Sequence, residues 1–193
     1  GYVAKAAMDK PVSFESKSLD AANTIYGDIA PGERIKKAGQ IRAQAFEAAR
    51  KYGGSADQAM EVIQGLAAGG LDGDSIDRLL PTAIKTMIAG KLQSKDVTNL
   101  LLKGLKNKMF TIEQAELAMD EGLQGGKQGS FEFKDMAKYL PQFAALGAGM
   151  KSHAGYQMHI ANAEAIETVS ADADQAGVNY ANLLDLHLPI PFQ

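Results

Sequence analysis

Apolar residues recur along most of this chain at spacings of three and four, punctuated by glycine pairs and prolines. That spacing places them on one face of an α-helix, whereas a half-buried strand would alternate every second residue. The clearest stretch is 33–52, where Ile35, Ala38, Ile41, Ala45, Ala49 and Tyr52 mark a buried face before Gly53-Gly54 stops the helix. Ser55, with Gln58 three residues on, forms a capping box, in which the two side chains satisfy backbone N–H groups that a first turn leaves unpaired. The helix it opens carries Ala59, Val62, Ile63 and Leu66 as far as Gly69-Gly70. The next starts near Asp74 or Ser75 and buries Ile76, Leu79, Leu80, Ile84, Met87 and Ile88, with Pro81 either inside it or restarting it. Ser94 caps a helix that turns Val97, Leu100, Leu101, Leu105 and Met109 inward. Thr111 and Gln114 make a second capping box, opening a helix with Ala115, Ala118, Met119 and Leu123 that ends at Gly125-Gly126. Ser130 caps a helix carrying Phe133, Met136, Leu140, Phe143 and Leu146 around Pro141, and helices over 156–176 and 179–186 follow.

The expected fold is all-α, a compact multi-helix bundle of about seven to nine short helices. Pro11, Gly27, Pro31 and Gly32 make 1–33 read as an irregular lead-in, leaving 34–193 as the helical domain. An internal echo runs through that domain. Ser55-Ala-Asp-Gln-Ala, a Gly-Gly pair and Leu80-Pro81 return as Thr111-Ile-Glu-Gln-Ala, a Gly-Gly pair and Leu140-Pro141. It reads either as pseudo-repeats near 55–110 and 111–176, each burying its apolar face on the next, or as chance recurrence of helix caps.

Composition acts mainly by exclusion. Hydrophobic residues at 46% and charged ones at 22% are those of an ordinary globular protein. The net charge of −3 comes from 20 basic and 23 acidic residues that are interspersed, so neither a nucleic-acid-binding basic stripe nor an acidic tail is visible. No cysteine is present, which removes disulfides, thiolate chemistry and cysteine-based metal sites together. Residues 1–10 lack the basic start and apolar block of a signal peptide, and the apolar run 83–89 is broken by Lys85, far short of a membrane span. The start at Gly1 and the Leu-Pro-Ile-Pro-Phe end at 188–192 read as a fragment of something longer.

Four stretches invite a chemical reading. His153 and His159 stand six apart with His187 remote, which matches no helical metal spacing, so they read as surface or capping histidines. The acidic 71–77 segment lacks the alternating oxygen ligands and the Glu at position twelve of an EF-hand, and capping by Asp74 or Ser75 accounts for it. In 122–130, Glu121 and Gln128 occupy the positions where a phosphate-binding loop needs glycine and a hydroxyl, so this segment reads as a flexible interhelical linker. Glu15-Ser16 resembles the Glu-Ser pair of lytic transglycosylases, yet a glycosidase acid needs a folded cleft that raises its pKa. Methionines 60, 87, 109, 119, 136 and 150 read as core filling. No catalytic, cofactor-binding or metal residue is assigned, and no cofactor is expected.

From Tyr52 to Leu188 a series of blocks stands in order: Tyr-Gly-Gly-Ser-Ala-Asp-Gln-Ala (52–59), Leu-Ala-Ala-Gly-Gly-Leu (66–71), Leu-Leu-Pro-Thr-Ala (79–83), Gly-Lys-Leu-Gln-Ser-Lys-Asp-Val (90–97) and Phe-Thr-Ile-Glu-Gln-Ala-Glu-Leu-Ala-Met-Asp (110–120). Gly129-Ser130, Phe-Lys-Asp-Met (133–136) and Tyr-Leu-Pro (139–141) complete it. In this order the blocks resemble the conserved helical region of phage tail tape measure proteins, in the minor-tail group typified by lactococcal phages. The chain departs from that pattern at 153–159, where the family continues with a simple aliphatic helix.

The resemblance implies a non-catalytic structural and assembly domain of a phage or prophage tail, contributing to tail assembly, tail-length determination and DNA ejection. It implies partners among the tail tube, tail tip or baseplate, assembly chaperones and the chain itself, with no nucleic-acid contact for this domain. The place implied is the virion tail, after synthesis and assembly in the host cytoplasm. Two rival readings are a helical adaptor or effector module unrelated to phage tails, and a wall-degrading domain with Glu15 as its acid.

Overall fold

A computed structural model describes residues 2–129, 131–147 and 149–186, with the backbone alone for 2–12 and 128. Among these residues the secondary structure is helical throughout, in the order α1 (Tyr2–Ile25), α2 (Pro31–Tyr52), α3 (Ala56–Ala68), α4 (Gly73–Ala89), α5 (Ser94–Lys106), α6 (Ala115–Gln128), α7 (Phe133–Leu146), α8 (His153–Glu167) and α9 (Ala173–Leu186). The all-α expectation is met. The chain divides into two compact units, Gly1–Ile88 and Ala89–Gln193, each contiguous in sequence.

In the first unit α1, α2 and α3 pack on one another. The stretch expected to be an irregular lead-in is instead mostly α1, whose buried Ser18, Ala21 and Ala22 lie on one helical face. Gly27 and Pro31-Gly32 are punctuation between two helices, with Pro31 in the first turn of α2, where its missing N–H has no helical acceptor to serve. Antiparallel α1 and α2 are tied by Arg42 donating to Glu15 at 2.7 Å, Arg34 donating to Asn23 at 3.3 Å, and the Phe14 and Phe46 rings 5.1 Å apart. The buried face of α2 is Ala38, Ile41, Ala45 and Ala48, a strip narrower than its sequence pattern suggested, and Ile35 lies outside it.

Gly53 and Gly54 both have positive φ, at 96° and 79°, which lets the chain leave α2 and enter α3 within two residues. Ser55 then forms the expected capping box, its Oγ accepting from Gln58 N at 3.1 Å while Gln58 Oε1 accepts from Ser55 N at 2.9 Å. The cap of α4 is Asp72, rather than Asp74 or Ser75, through a 2.8 Å bond from Ser75 N to Asp72 Oδ1. α4 continues through Pro81 without a break.

In the second unit α7 packs against α5, α6, α8 and α9, and α8 also packs against α6 and α9. Ser94 stands at the first helical position of α5, with Gln93 at the cap. The Thr111 box is half formed: Gln114 Oε1 accepts from Thr111 N at 3.1 Å, but a turn at 112–114 delays α6 to Ala115. Ser130 lies outside the described residues, and Glu132 occupies the cap position of α7. Helix 156–176 is two helices. Thr168 and Ser170 hydroxyls take the carbonyls of Ala165 and Ile166, ending α8, and Asp172 caps α9 by accepting from Gln175 N at 2.8 Å.

The second glycine pair corrects the sequence reading most. Gly125-Gly126 does not stop α6, and the expected flexible linker is helical through Gln128. A Cβ on Gly126 would overlap the backbone of Phe133, so glycine here lets the start of α7 lie against α6. Of the six methionines assigned to the core, 60, 87, 109, 119 and 136 are buried, and Met150 is half-buried. Pro81 and Pro141 each stand ninth in their helix, though the glycine pairs before them behave differently.

Gly126→Ala is expected to destabilise the fold by about 2 kcal/mol, because backbone cannot yield to the added methyl as a side-chain end can. Gly39→Ala, inside α2 with its nearest neighbour 4.0 Å from the added atom, is expected to stabilise by about 0.5–1 kcal/mol. Thermal melts of both variants against the parent would show the opposite signs.

Candidate functional site

The sequence candidates do not converge. Glu15 is on the outer side of α1, its side chain 70% exposed and held by Arg42, with no cleft to desolvate it. Asp72 is a helix cap. His187 lies outside the described residues. Among the described residues no group of three or more histidine, aspartate or glutamate side chains could hold a metal ion, and no helix is long and apolar enough to cross a membrane.

Both described histidines are on α8 but in different surroundings. His153, in its first turn, puts Nε2 2.8 Å from Glu121 Oε2 without hydrogen-bond alignment, while Glu121 Oε1 accepts from Gln157. His159 is fully buried, which corrects the surface reading. Its Nδ1 is 2.9 Å from the Tyr180 hydroxyl, which also accepts from Asn162 Nδ2 at 2.9 Å. The Tyr180 proton is then available to His159 Nδ1, leaving Nε2 without a partner. Phe143 lies against both rings, its centroid 4.7 Å from that of Tyr180. Burial pushes the His159 imidazole down to about 4. The sequence hid this because His159 takes a core position of α8 that an aliphatic residue would ordinarily fill.

Nearby, Asp174 at the start of α9 accepts from Lys138 Nζ at 2.7 Å and from the Tyr139 hydroxyl at 2.9 Å, which holds its carboxyl below the usual range. Tyr156, fully enclosed, donates to the Ala118 carbonyl at 2.8 Å, and burial raises its phenol. These polar groups fasten helices to one another. None is arranged around open space.

Three hollows accompany them. In the first unit, one of about 150 Å³ lies between α2 and α4, lined by Gln44, Glu47, Lys51, Tyr52, Asp77 and Pro81. Gln44 Nε2 donates to Asp77 Oδ1 across it at 2.6 Å. In the second unit, Gly104, Phe110, Pro141 and Tyr156 line a cavity of about 10 Å³, too small for a ligand. A third, of about 390 Å³, is bordered by Lys91, Lys127, Lys134, Glu132 and Phe133.

What remains for recognition is surface. Ile35 and Phe46 on α2 are 64% and 58% exposed, and Leu19 on α1 is exposed as well. Leu117 on α6 is 55% exposed, and Met158, Val178, Leu183 and Leu186 are exposed on α8 and α9. Sequence periodicity could not assign these, since it reports apolar spacing and not whether a second helix covers it.

The family model described as "Phage-related minor tail protein" matches residues 43–186. A probable tape measure protein of Burkholderia phage BcepMu is 25% identical over 189 residues, which cover 92% of this chain and 21% of that protein. The chain thus spans about a fifth of the length of that relative. No solved structure matches.

His159 sets a pH dependence. Its folded-state value lies below that of an unfolded histidine, so the unfolded chain binds the extra proton first. The stability this neutral imidazole contributes is present above about pH 6.5 and is lost as pH falls towards 4. Urea midpoints measured at pH 7 and pH 5 are expected to drop for the parent. His159→Phe should flatten that drop, and a parent midpoint unchanged between the two pH values would contradict the assignment.

Proposed function

The chain belongs to the phage-related minor tail protein family, and from that premise we propose that it is a structural and assembly domain of a phage tail tape measure protein. The observation that carries this reading is the family match over 43–186 on helices that fold back within two compact units. A helix gains about 1.5 Å per residue, so a ruler needs its residues in extended line. Helices of 13 to 24 residues that reverse direction do not add their lengths. The domain therefore contributes to building the tail, while flanking helical sequence of the parent protein carries the length measurement. Its partners are other tail proteins, at the tip or baseplate or among the assembly chaperones, and its place is the virion tail.

We further infer that it acts without catalysis. Exposed, ion-paired Glu15 and the absence of converging acids among the described residues favour this reading. The polar groups that are buried, such as His159 and Tyr180, are engaged in packing.

An in-frame deletion of the family-matched region from the parent phage gene tests the proposal. A ruler segment of that size would shorten tails by about 200 Å at the helical rise. The expected result is instead loss of assembled tails, or tails of irregular length, in electron micrographs of lysates. A uniform population shortened by that amount would overturn the assembly reading in favour of a ruler.

A further inference from the structure

In the second unit, three lysines from separate stretches of the chain meet around one hollow. Lys91 stands in the turn after α4, Lys127 in the last turn of α6 and Lys134 in the first turn of α7. Because Gly126 lets the start of α7 lie against α6, Lys127 and Lys134 reach the same rim. The hollow measures about 390 Å³, and Leu123 and Phe133 contribute its apolar lining. Sites for small ligands occupy about 300–1,000 Å³, so there is room for one.

The charge around this hollow is unbalanced. Among the described residues at the rim the acid is Glu132, and Lys134 already holds it, Nζ to Oε2 at 2.9 Å. Lys134, with a smaller contribution from Lys91, keeps the Glu132 carboxyl below its usual range. Three ammonium groups against one carboxylate leave a surplus of positive charge at Lys91 and Lys127. All three lysines are exposed, so a solute reaches them directly. Lys91 also holds its backbone at φ 53°, in the left-handed region that glycine occupies more readily. The fold thus keeps a charged side chain where glycine would relax the backbone.

We propose that this hollow binds a small phosphate-bearing anion, with Lys91 and Lys127 as its main contacts and Glu132 competing with it for Lys134. A lysine ammonium is a compact charge with three rotatable donors, which suits phosphate oxygens without demanding one orientation. Segment 122–130 is helical through Gln128, so it offers the Lys127 side chain in place of the backbone N–H cradle of a glycine-rich phosphate loop. A nucleic-acid strand fits less well. Strand-binding surfaces set basic residues and stacking aromatics along a groove, whereas these lysines close around one hollow and Phe133 is buried. The inference goes beyond the assembly reading and does not depend on it, since that reading is scored on tails and this one on purified chain.

Calorimetric titration and thermal melts of the full chain with inorganic pyrophosphate test it, against sodium chloride at matched ionic strength. Pyrophosphate should raise the melting temperature of the parent beyond the matched salt, because it binds the folded state. Lys127→Ala should weaken binding about fivefold, the upper end for one exposed ion pair, and Glu132→Gln should tighten it by about as much by releasing Lys134. Lys91→Gly should weaken binding while the free chain melts higher than the parent, which separates lost contact from lost fold. Lys108 shares the left-handed backbone, at φ 58°, but does not border the hollow, so Lys108→Gly should melt higher and bind as the parent does. A parent that responds to pyrophosphate no more than to chloride, or a Lys91→Gly or Lys127→Ala variant that binds as the parent does, would overturn the proposal. Tighter binding of a short single-stranded DNA than of pyrophosphate would also overturn it, in favour of a strand-binding surface.

Discussion

Everything in this structure follows from the helices being too short to stand alone. An isolated helix of 13 to 17 residues is marginal in water, and α3 to α9 all fall in that range. They persist because each lays its apolar face on a neighbour. Small residues make that close enough to work. Ala21, Ala22, Ala38, Ala45 and Ala48 form much of the contact among α1, α2 and α3, and Gly126 brings α6 against the backbone of Phe133. Side chains of this size lose almost no rotamer freedom on burial, so a core rich in them is entropically inexpensive to order.

The same requirement explains why buried polar groups here read as fasteners. Buried histidine and tyrosine side chains find their partners on other helices, His159 on α8 with Tyr180 on α9 and Tyr156 on α8 with a carbonyl of α6, and at the surface Asp174 on α9 takes Tyr139 of α7. A group satisfied in this manner fixes helix register and is withdrawn from solution chemistry.

Much of the helical pattern was legible from the residues, and the failures share a physical cause. The Ser55 capping box was readable because its two hydrogen bonds are local, made by residues three apart. The long helix ahead of Gly27 is not legible locally, because Pro11 and the Gly27 to Gly32 cluster signal turns, and packing of α1 on α2 and α3 through buried Ser18, Ala21 and Ala22 outweighs them. Gly125-Gly126 signals a stop that α6 overrides for the converse reason. Glycine's reluctance to be helical costs about 1 kcal/mol per residue, and a close tertiary contact exceeds it. Ile35 and His159 show the limit from both sides: a periodic apolar residue that nothing covers, and a polar one that lies fully inside. Local signals place caps and spacing, but burial is decided by neighbours distant in sequence.

The division of the chain into Gly1–Ile88 and Ala89–Gln193 has a further consequence, because neither unit borrows residues from the other's stretch of sequence. On a ribosome adding roughly 5–20 residues per second, the first unit has its whole complement of helices while the second is still being made. Local helix pairing is complete in far less than a second. The nascent chain can therefore bury the apolar faces of its first unit before those of the second emerge, so the two sets are not exposed together.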